Sequence, residues 1–160
     1  MNRHFYNFIA AFNAAAKTKK WTLFFPIRNR FTYKFLEFLN KERLIEGFRF
    51  VDEKTGDVFA KDRPNRGWAL PLGKKGSPYE VIVRIDLKHE LISRIHTASS
   101  PGKDMTYTCS QLKHYAAGQS ITGSGGVVVC SSSTFRGLCT AEQLVATGHG
   151  GLVLCVVILN

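Results

Sequence analysis

The chain has 160 residues, a formal net charge of +10 at pH 7 and a pI of about 9.7. This length is enough for one domain or for two small ones packed together. The positive charge favours a polyanionic partner, with nucleic acid the first candidate and an anionic membrane surface the second. No apolar run reaches the roughly 18 to 20 residues that a spanning helix needs, so a membrane would be touched and not crossed.

An aromatic helix is predicted near the N-terminus. Its large apolar side chains recur at helical spacing: Phe5, Phe8, Ile9 and Phe12. Three lysines follow the helix, Lys17, Lys19 and Lys20; they contact a polyanion or form an ordinary solvated charge run. The first acidic residue is Glu37, and so basic a start is typical of a mitochondrial targeting segment.

A strand and a second helix are predicted next. The strand runs from Trp21 to Phe25 and is ended by Pro26. Asn29 is the predicted N-cap of the helix, and the side chains expected on its core face are Phe31, Phe35, Phe38 and Leu39. Arg28 and Arg30 flank this helix start, where phosphate is favoured; solvated arginines are the alternative.

A small antiparallel sheet is predicted from three further apolar segments, 48–51, 58–60 and 79–87. Residues 61–78 between the last two form a long basic loop that is rich in proline and glycine. Loops of this length inside a compact domain tend to be functional or disordered. We therefore hypothesise an added contact between this loop and RNA or a neighbouring protein.

The second half begins with an apolar segment at 92–95 and a loop that is enlarged by residues 96–99. Ser110 is the predicted cap of a short helix that ends at Ala117. Residues 119–125 are predicted to be a glycine-rich insertion before a strand that contains three consecutive valines, 127–129.

The C-terminal segment is predicted to run strand, serine loop, short helix, glycine turn, strand. Thr140 and Gln143 form a capping pattern for the helix, Gly148 closes it in the left-handed conformation, and residues 152–157 form the last strand. The serine loop begins with three consecutive residues that carry small hydroxyl groups, Ser131, Ser132 and Ser133. They suit hydrogen bonding to base edges, sugars and phosphates, although an isolated serine triplet is more often a polar surface loop.

Neither an enzyme nor a metal protein is predicted. The four cysteines are widely spaced, which indicates small core residues in a reducing compartment: Cys109, Cys130, Cys139 and Cys155. The histidines make no ligand set with them. An S-x-x-K at 110–113 and a K-T-G at 54–56 occur in the wrong order for a serine acyl enzyme and lack its middle motif. No cofactor and no small-molecule substrate is expected.

The order of these segments resembles the universal small-subunit ribosomal protein number eight, in its bacterial and organellar form. That family has Ser-Thr-Ser, a basic residue and a glycine between a small-residue strand and a short helix. Here 131–133 match Ser-Thr-Ser, and Arg136 and Gly137 match the basic residue and the glycine after a two-residue insertion. Arg94-Ile95 and the later Pro101-Gly102 resemble the family's Arg-Ile-Ser-basic-Pro-Gly segment, and 26–48 follows the pattern without a gap.

The resemblance implies an α+β protein with an N-terminal helix-strand-helix-sheet subdomain, 1–92, and a β-rich C-terminal subdomain with short helices, 93–160. It implies a structural protein that binds the central domain of small-subunit rRNA, supports assembly and translation, and contacts neighbouring ribosomal proteins. The implied RNA-binding residues are Ser131, Ser132, Ser133, Arg136, Gly137, Arg28, Arg30, Pro101 and Gly102.

The departures from the family pattern favour a fast-diverging organellar ribosome, so the expected location is the small ribosomal subunit in the mitochondrial matrix. Because the family match places the N-terminal residues inside the fold, any targeting signal is expected to be uncleaved or very short. The alternatives are a non-ribosomal organellar RNA-binding module and, less well supported, a basic membrane-surface protein.

Overall fold

The computed structural model describes residues 3–27, 29–51, 58–59, 81–88, 91–99, 102–121, 126–133 and 137–160. The chain divides into two compact units, one within His4–His89 and one within Glu90–Asn160. Each unit combines helices with an antiparallel sheet, so the predicted α+β class is confirmed. The long loop at 61–78 lies outside the described residues. In the described part of the chain, no helix has the length and apolar character needed to cross a membrane.

The described residues of the N-terminal unit form two helices and four strands: α1 (Arg3–Lys17), β1 (Thr22–Ile27), α2 (Arg30–Lys41), β2 (Ile45–Val51), β3 (Val58–Phe59) and β4 (Val81–Leu87). The strands form one sheet in the order β1-β4-β2-β3, and every neighbouring pair is antiparallel. The two helices and the predicted three-segment sheet are therefore present.

Aromatic rings form the core of the N-terminal unit. The Phe8 ring of α1 lies 5.3 Å from the Phe25 ring of β1, and the Phe5 ring lies 5.1 Å from the Phe35 ring of α2, both edge to face. Phe5, Phe8 and Phe35 are completely buried. The Tyr33 ring of α2 also packs against Phe48 of β2. Both helices therefore cover the same face of the sheet.

Pro26 does not end β1, which is a correction to the sequence prediction. The strand continues to Ile27, with Pro26 opposite Ile82 of β4. The Leu87 N–H donates to the Trp21 carbonyl (2.8 Å), so hydrogen-bonded pairs fall at odd-numbered positions of β1. The Pro26 nitrogen therefore points away from β4, and because β1 is an edge strand no ladder hydrogen bond is lost.

Asn29 caps α2 as predicted. Its Oδ1 accepts hydrogen bonds from the N–H groups of Phe31 (2.7 Å) and Thr32 (3.4 Å). We expect Asn29→Ala to lower the free energy of unfolding by about 1 kcal/mol, because two N–H groups of the first turn lose their acceptor. Urea denaturation checks this value. Asn29→Asp is the matched control: it keeps an acceptor oxygen and should stay within about 0.5 kcal/mol of the unsubstituted chain. Equal losses in both variants would contradict the capping role.

In the C-terminal unit, the part of the chain that the structure describes forms five strands and two helices: β5 (Ile92–Thr97), β6 (Thr106–Tyr107), α3 (Cys109–Ile121), β7 (Gly126–Ser131), β8 (Leu138–Thr140), α4 (Ala141–Ala146) and β9 (Gly151–Leu159). The strand order is β5-β9-β7-β8, and β6 pairs with β9. β9 is the central strand, and its residues from Val153 to Val157 are buried. Continuous burial explains why β9 has an unbroken apolar sequence instead of an alternating one.

Three sequence predictions in this unit need correction. The segment predicted as a loop from His96 belongs to β5 up to Thr97, because these residues pair with β9. Strand β8 was not predicted, since three residues carry too little pattern to be seen. Helix α3 continues to Ile121, beyond the predicted end at Ala117, so part of the predicted insertion is helical.

The N-cap of α3 is also a correction, because Thr108 caps this helix and Ser110 does not. Thr108 Oγ1 accepts from the Gln111 N–H (3.3 Å), and Gln111 Oε1 accepts from the Thr108 N–H (3.0 Å). This reciprocal pair is a capping box. Ser110 is already inside the helix, where its side chain is exposed.

Candidate nucleic-acid interface

The serine segment, Ser131 to Ser133, lies where β7 ends. Ser131 is the last residue of β7 and pairs with Leu138 of β8 on one side and Leu152 of β9 on the other. Ser131 and Ser132 are half-buried, whereas Ser133 is exposed in the turn that follows. The segment therefore starts from a backbone held by two neighbouring strands, and its last hydroxyl is open to a partner.

Gly137 lies on the return from this turn into β8, and its φ of +90° is a value that favours glycine. A Cβ at this position would meet nothing within 4 Å. The family resemblance implies that Gly137 is one of the RNA-binding residues; the structure adds the backbone conformation as an independent reason for a glycine here. The space in front of the Gly137 Cα is open.

Helix α4 follows β8 directly in the chain, and it begins at the predicted cap. Thr140 Oγ1 accepts from the Gln143 N–H (3.2 Å), and Gln143 Oε1 accepts from the Thr140 N–H (3.0 Å). Thr140 is also the last residue of β8 and pairs with Val129 of β7. Thr140 is thus both the end of β8 and the cap of α4, so the strand passes directly into the helix.

Helix α4 ends at the predicted glycine. Gly148 has φ +77°, its N–H donates to the Val145 carbonyl (3.1 Å), and the His149 N–H donates to the Leu144 carbonyl (2.9 Å). These two bonds define a Schellman motif. The prediction for Gly148 is confirmed.

Two further glycines were not predicted, and they determine how closely the turn after α4 packs. An ideal Cβ on Gly151 would lie 2.8 Å from the Ser131 carbonyl oxygen and 3.5 Å from the Ser132 Cβ. An ideal Cβ on Gly150 would lie 2.3 Å from the Tyr107 carbonyl oxygen and 2.9 Å from the Thr108 Cα. Neither position has room for a side chain. In the sequence they look like ordinary turn glycines, because the backbone atoms that leave no room for a Cβ belong to distant residues, Ser131 for Gly151 and Tyr107 and Thr108 for Gly150.

Three uncharged thiols lie in the strands that lead to and pair beside the serine segment, Cys130 in β7, Cys139 in β8 and Cys155 in β9. Cys130 and Cys139 face each other across β7 and β8, both are buried, and the Cys139 thiol donates to the Cys130 carbonyl (3.6 Å). Burial raises the pKa of Cys130 to about 12 and also raises the pKa values of Cys139 and Cys155. The thiols are therefore protonated at neutral pH and do not repel phosphate. All four cysteines are free, and the prediction of core packing holds for these three.

A serine that sequence reasoning did not single out fixes the loop that contains Gly102. Ser99 is buried; its Oγ donates to the Val153 carbonyl of β9 (2.5 Å) and accepts from the Met105 N–H (3.0 Å). Both ends of the loop are thereby tied to β9. Gly102 is exposed, and a Cβ there would meet nothing within 4 Å. One serine in a polar stretch carries no sequence signal for such a role.

The structure brings together one predicted group of site residues, the serine segment and Gly137, at the connection between β7 and β8. Arg30 is the exposed first residue of α2, next to its cap, in the N-terminal unit. Arg28, Pro101 and Arg136 lie outside the described residues. In the described ranges, no three His, Cys, Asp or Glu side chains are grouped so that they could hold a metal ion.

A comparison with family models extends over nearly the whole chain. The model described as ribosomal protein S8 matches residues 5–158. No curated protein sequence matches the chain. The matched range includes both compact units, the serine segment and the two predicted arginine positions before and at the start of α2.

Proposed function

We propose, because the chain belongs to the ribosomal protein S8 family, that it uses the serine segment to read an irregular helix in the central domain of small-subunit rRNA and supports the folding of that domain during assembly. Members of this family are structural proteins of the small ribosomal subunit that bind rRNA and lie among other ribosomal proteins; it is not an enzyme family. The basic net charge of +10 agrees with such a partner.

The observation that carries the proposal is the rigid mounting of the serine segment. Ser131 is held between β8 and β9, Gly151 lies against its carbonyl, and Ser133 is exposed. A hydroxyl both donates and accepts hydrogen bonds, so three consecutive serines that start from a fixed backbone are suited to 2′-hydroxyls and base edges in the shallow minor groove of RNA.

Attraction to phosphate is a separate part of the mechanism. Lys103 and Lys113 are exposed on the same unit, and three more lysines are exposed at the end of α1 and just beyond it, Lys17, Lys19 and Lys20. Such contacts add salt-sensitive affinity without sequence preference, whereas the serine segment adds selectivity. By sequence match Arg136 is the cation next to the serines, and its replacement by glutamine should reduce the salt slope of binding by about one unit.

The mitochondrial matrix is the proposed location, on the strength of the basic, aromatic N-terminal sequence and the insertions relative to the family pattern. The loop at 61–78 is proposed to contact RNA or a neighbouring protein. Crosslinking of the tagged protein in its own cells, followed by sequencing of the attached RNA, tests the location. The expected result is a dominant peak in the central domain of mitochondrial small-subunit rRNA; peaks spread over other RNAs would overturn it.

Ser133→Ala is expected to weaken binding to a central-domain rRNA fragment by about 1 to 2 kcal/mol, because its hydroxyl is exposed in the free protein and becomes buried against RNA. Filter binding or calorimetry at fixed salt measures the change. Ser110→Ala is the matched control, since Ser110 is an exposed serine on α3 of the same unit. Unchanged affinity in alanine variants at all three positions of the serine segment would exclude it as the reader.

A further inference from the structure

The outer face of the N-terminal sheet, defined as the face opposite α1 and α2, carries an aromatic ring in line with two arginines. Phe24 of β1 lies opposite Arg84 of β4, and Arg84 lies opposite Arg49 of β2. Residues opposite each other on neighbouring strands project from the same face, with Cβ atoms about 4.5 to 5.5 Å apart. The three side chains therefore form one row across three strands.

Phe24 contributes little to the core of the protein. Its exposed fraction is 58%, whereas that of the adjacent Phe25 is 9%, and Phe25 packs against Phe8. Phe24 is also on an edge strand, where exposed apolar groups promote unwanted association. A fold that needed only a β-forming residue here would be served as well by threonine. The large exposed ring thus suggests a surface that is covered in a complex.

The two arginines are placed at an electrostatic cost. Like charges directly opposite each other on neighbouring strands destabilise a sheet. The Arg84 Nε donates to Asp86 Oδ1 (3.1 Å), which offsets one of the two charges. Arg49 is exposed and has no ion-pair partner among the described residues. An anion that contacts both guanidinium groups would relieve the remaining repulsion and would supply an acceptor for Arg49.

We propose that this outer face binds single-stranded RNA, with an unpaired base stacked on Phe24 and the backbone phosphates bound by Arg84 and Arg49. A sheet face that presents an aromatic ring beside cations offers both parts of single-strand recognition, a stacking platform and phosphate attraction. Guanidinium groups fit phosphate oxygens in a two-bond geometry. The proposal goes beyond the function proposed above, because none of these three residues belongs to the serine segment.

A stacking test uses the full chain and a labelled single-stranded RNA of about ten nucleotides, with binding followed by fluorescence anisotropy. Phe24→Leu should weaken binding about 5- to 150-fold, because leucine keeps apolar area but offers no ring for a base. Phe24→Trp should retain the affinity of the unsubstituted chain. Both variants should unfold at an unchanged temperature, because the side chain is mostly exposed.

A charge test separates phosphate contact at this face from general attraction to a basic protein. Arg49→Gln should reduce the salt slope of binding by about 0.7, the value for one phosphate contact on a single strand. Lys34→Gln is the control, because it removes the same charge from an exposed position on α2, in the helical layer on the other side of the sheet. The salt slope of the Lys34→Gln variant should equal that of the unsubstituted chain.

Phe24→Leu and Arg49→Gln should have the same effects in a chain in which all three serines of 131–133 are replaced by alanine. Failure of this proposal is therefore distinguishable from failure of the function proposed for the serine segment. Equal affinities for Phe24→Leu, Phe24→Trp and the unsubstituted chain would overturn the proposal. So would equal slopes for Arg49→Gln and Lys34→Gln. In either case a protein partner would be the better candidate for this face.

Discussion

Replacing Gly150 by alanine is expected to lower the free energy of unfolding of the C-terminal unit by about 3 kcal/mol or more. The new Cβ would lie 2.3 Å from the Tyr107 carbonyl oxygen and 2.9 Å from the Thr108 Cα. Both are backbone atoms, so no side-chain rotation removes the overlap. Tyr107 pairs with β9 and Thr108 caps α3, so strand β6 and the start of a helix must move together. Urea denaturation followed by circular dichroism measures the loss.

The matched control for this prediction is Gly102→Ala in the same unit. A Cβ at Gly102 meets nothing within 4 Å, and its backbone is not in the left-handed region. We expect a change within about 0.5 kcal/mol, as for other surface substitutions. A similar loss in both variants would mean that the cost comes from the removal of glycine as such and not from the contact at Gly150.

Gly150 and Gly151, at the start of β9, are in close contact with two different parts of the C-terminal unit. Gly150 lies against the junction of β6 and α3, and Gly151 lies against the last residue of β7. Between them, these contacts set the distance from the turn after α4 to the serine segment. Leu144 of α4 is completely buried in the same core cluster as Cys130 and Val153. The position of the serines is therefore a consequence of tight packing around β9 as well as of strand pairing.

Features that depend on local chemistry could be predicted from the sequence. Asn29 and Thr140 cap their helices because a short polar side chain bonds to N–H groups two or three residues ahead. Gly148 closes α4 because only a residue without Cβ readily adopts a positive φ there. The buried strands β7 and β9 were visible as apolar runs. In each case the deciding interaction spans a few residues.

Features that depend on distant partners could not be predicted. Pro26 is compatible with a strand only because β1 is at the sheet edge and its nitrogen faces outward, which depends on pairing with β4. Strand β8 exists because it pairs with β7. The role of Ser99 depends on Val153, which lies 54 residues away. Thr108 was a missed local signal, because a Thr with Gln three residues later is itself a capping pattern.

Replacing Gly151 by alanine is expected to weaken binding to a central-domain rRNA fragment about tenfold or more, although no hydroxyl is removed. The new Cβ would lie 2.8 Å from the Ser131 carbonyl oxygen, a backbone atom, so the end of β7 must shift. Displacement of a row of hydroxyls disturbs several hydrogen bonds at once, each worth about 1 kcal/mol, whereas Ser133→Ala removes only one. Affinity is measured at a temperature at which the variant is shown to be folded.

The salt dependence of binding distinguishes this displacement from other causes of weak binding. Gly151→Ala removes no cation, so the slope of log affinity against log salt should equal that of the unsubstituted chain, while the whole line moves to lower affinity. A general loss of structure would scatter the lysines and arginines and reduce the slope as well. A lower affinity with an unchanged slope therefore attributes the loss to the geometry of the serine segment, and an unchanged affinity would show that its position against Gly151 is irrelevant to RNA binding.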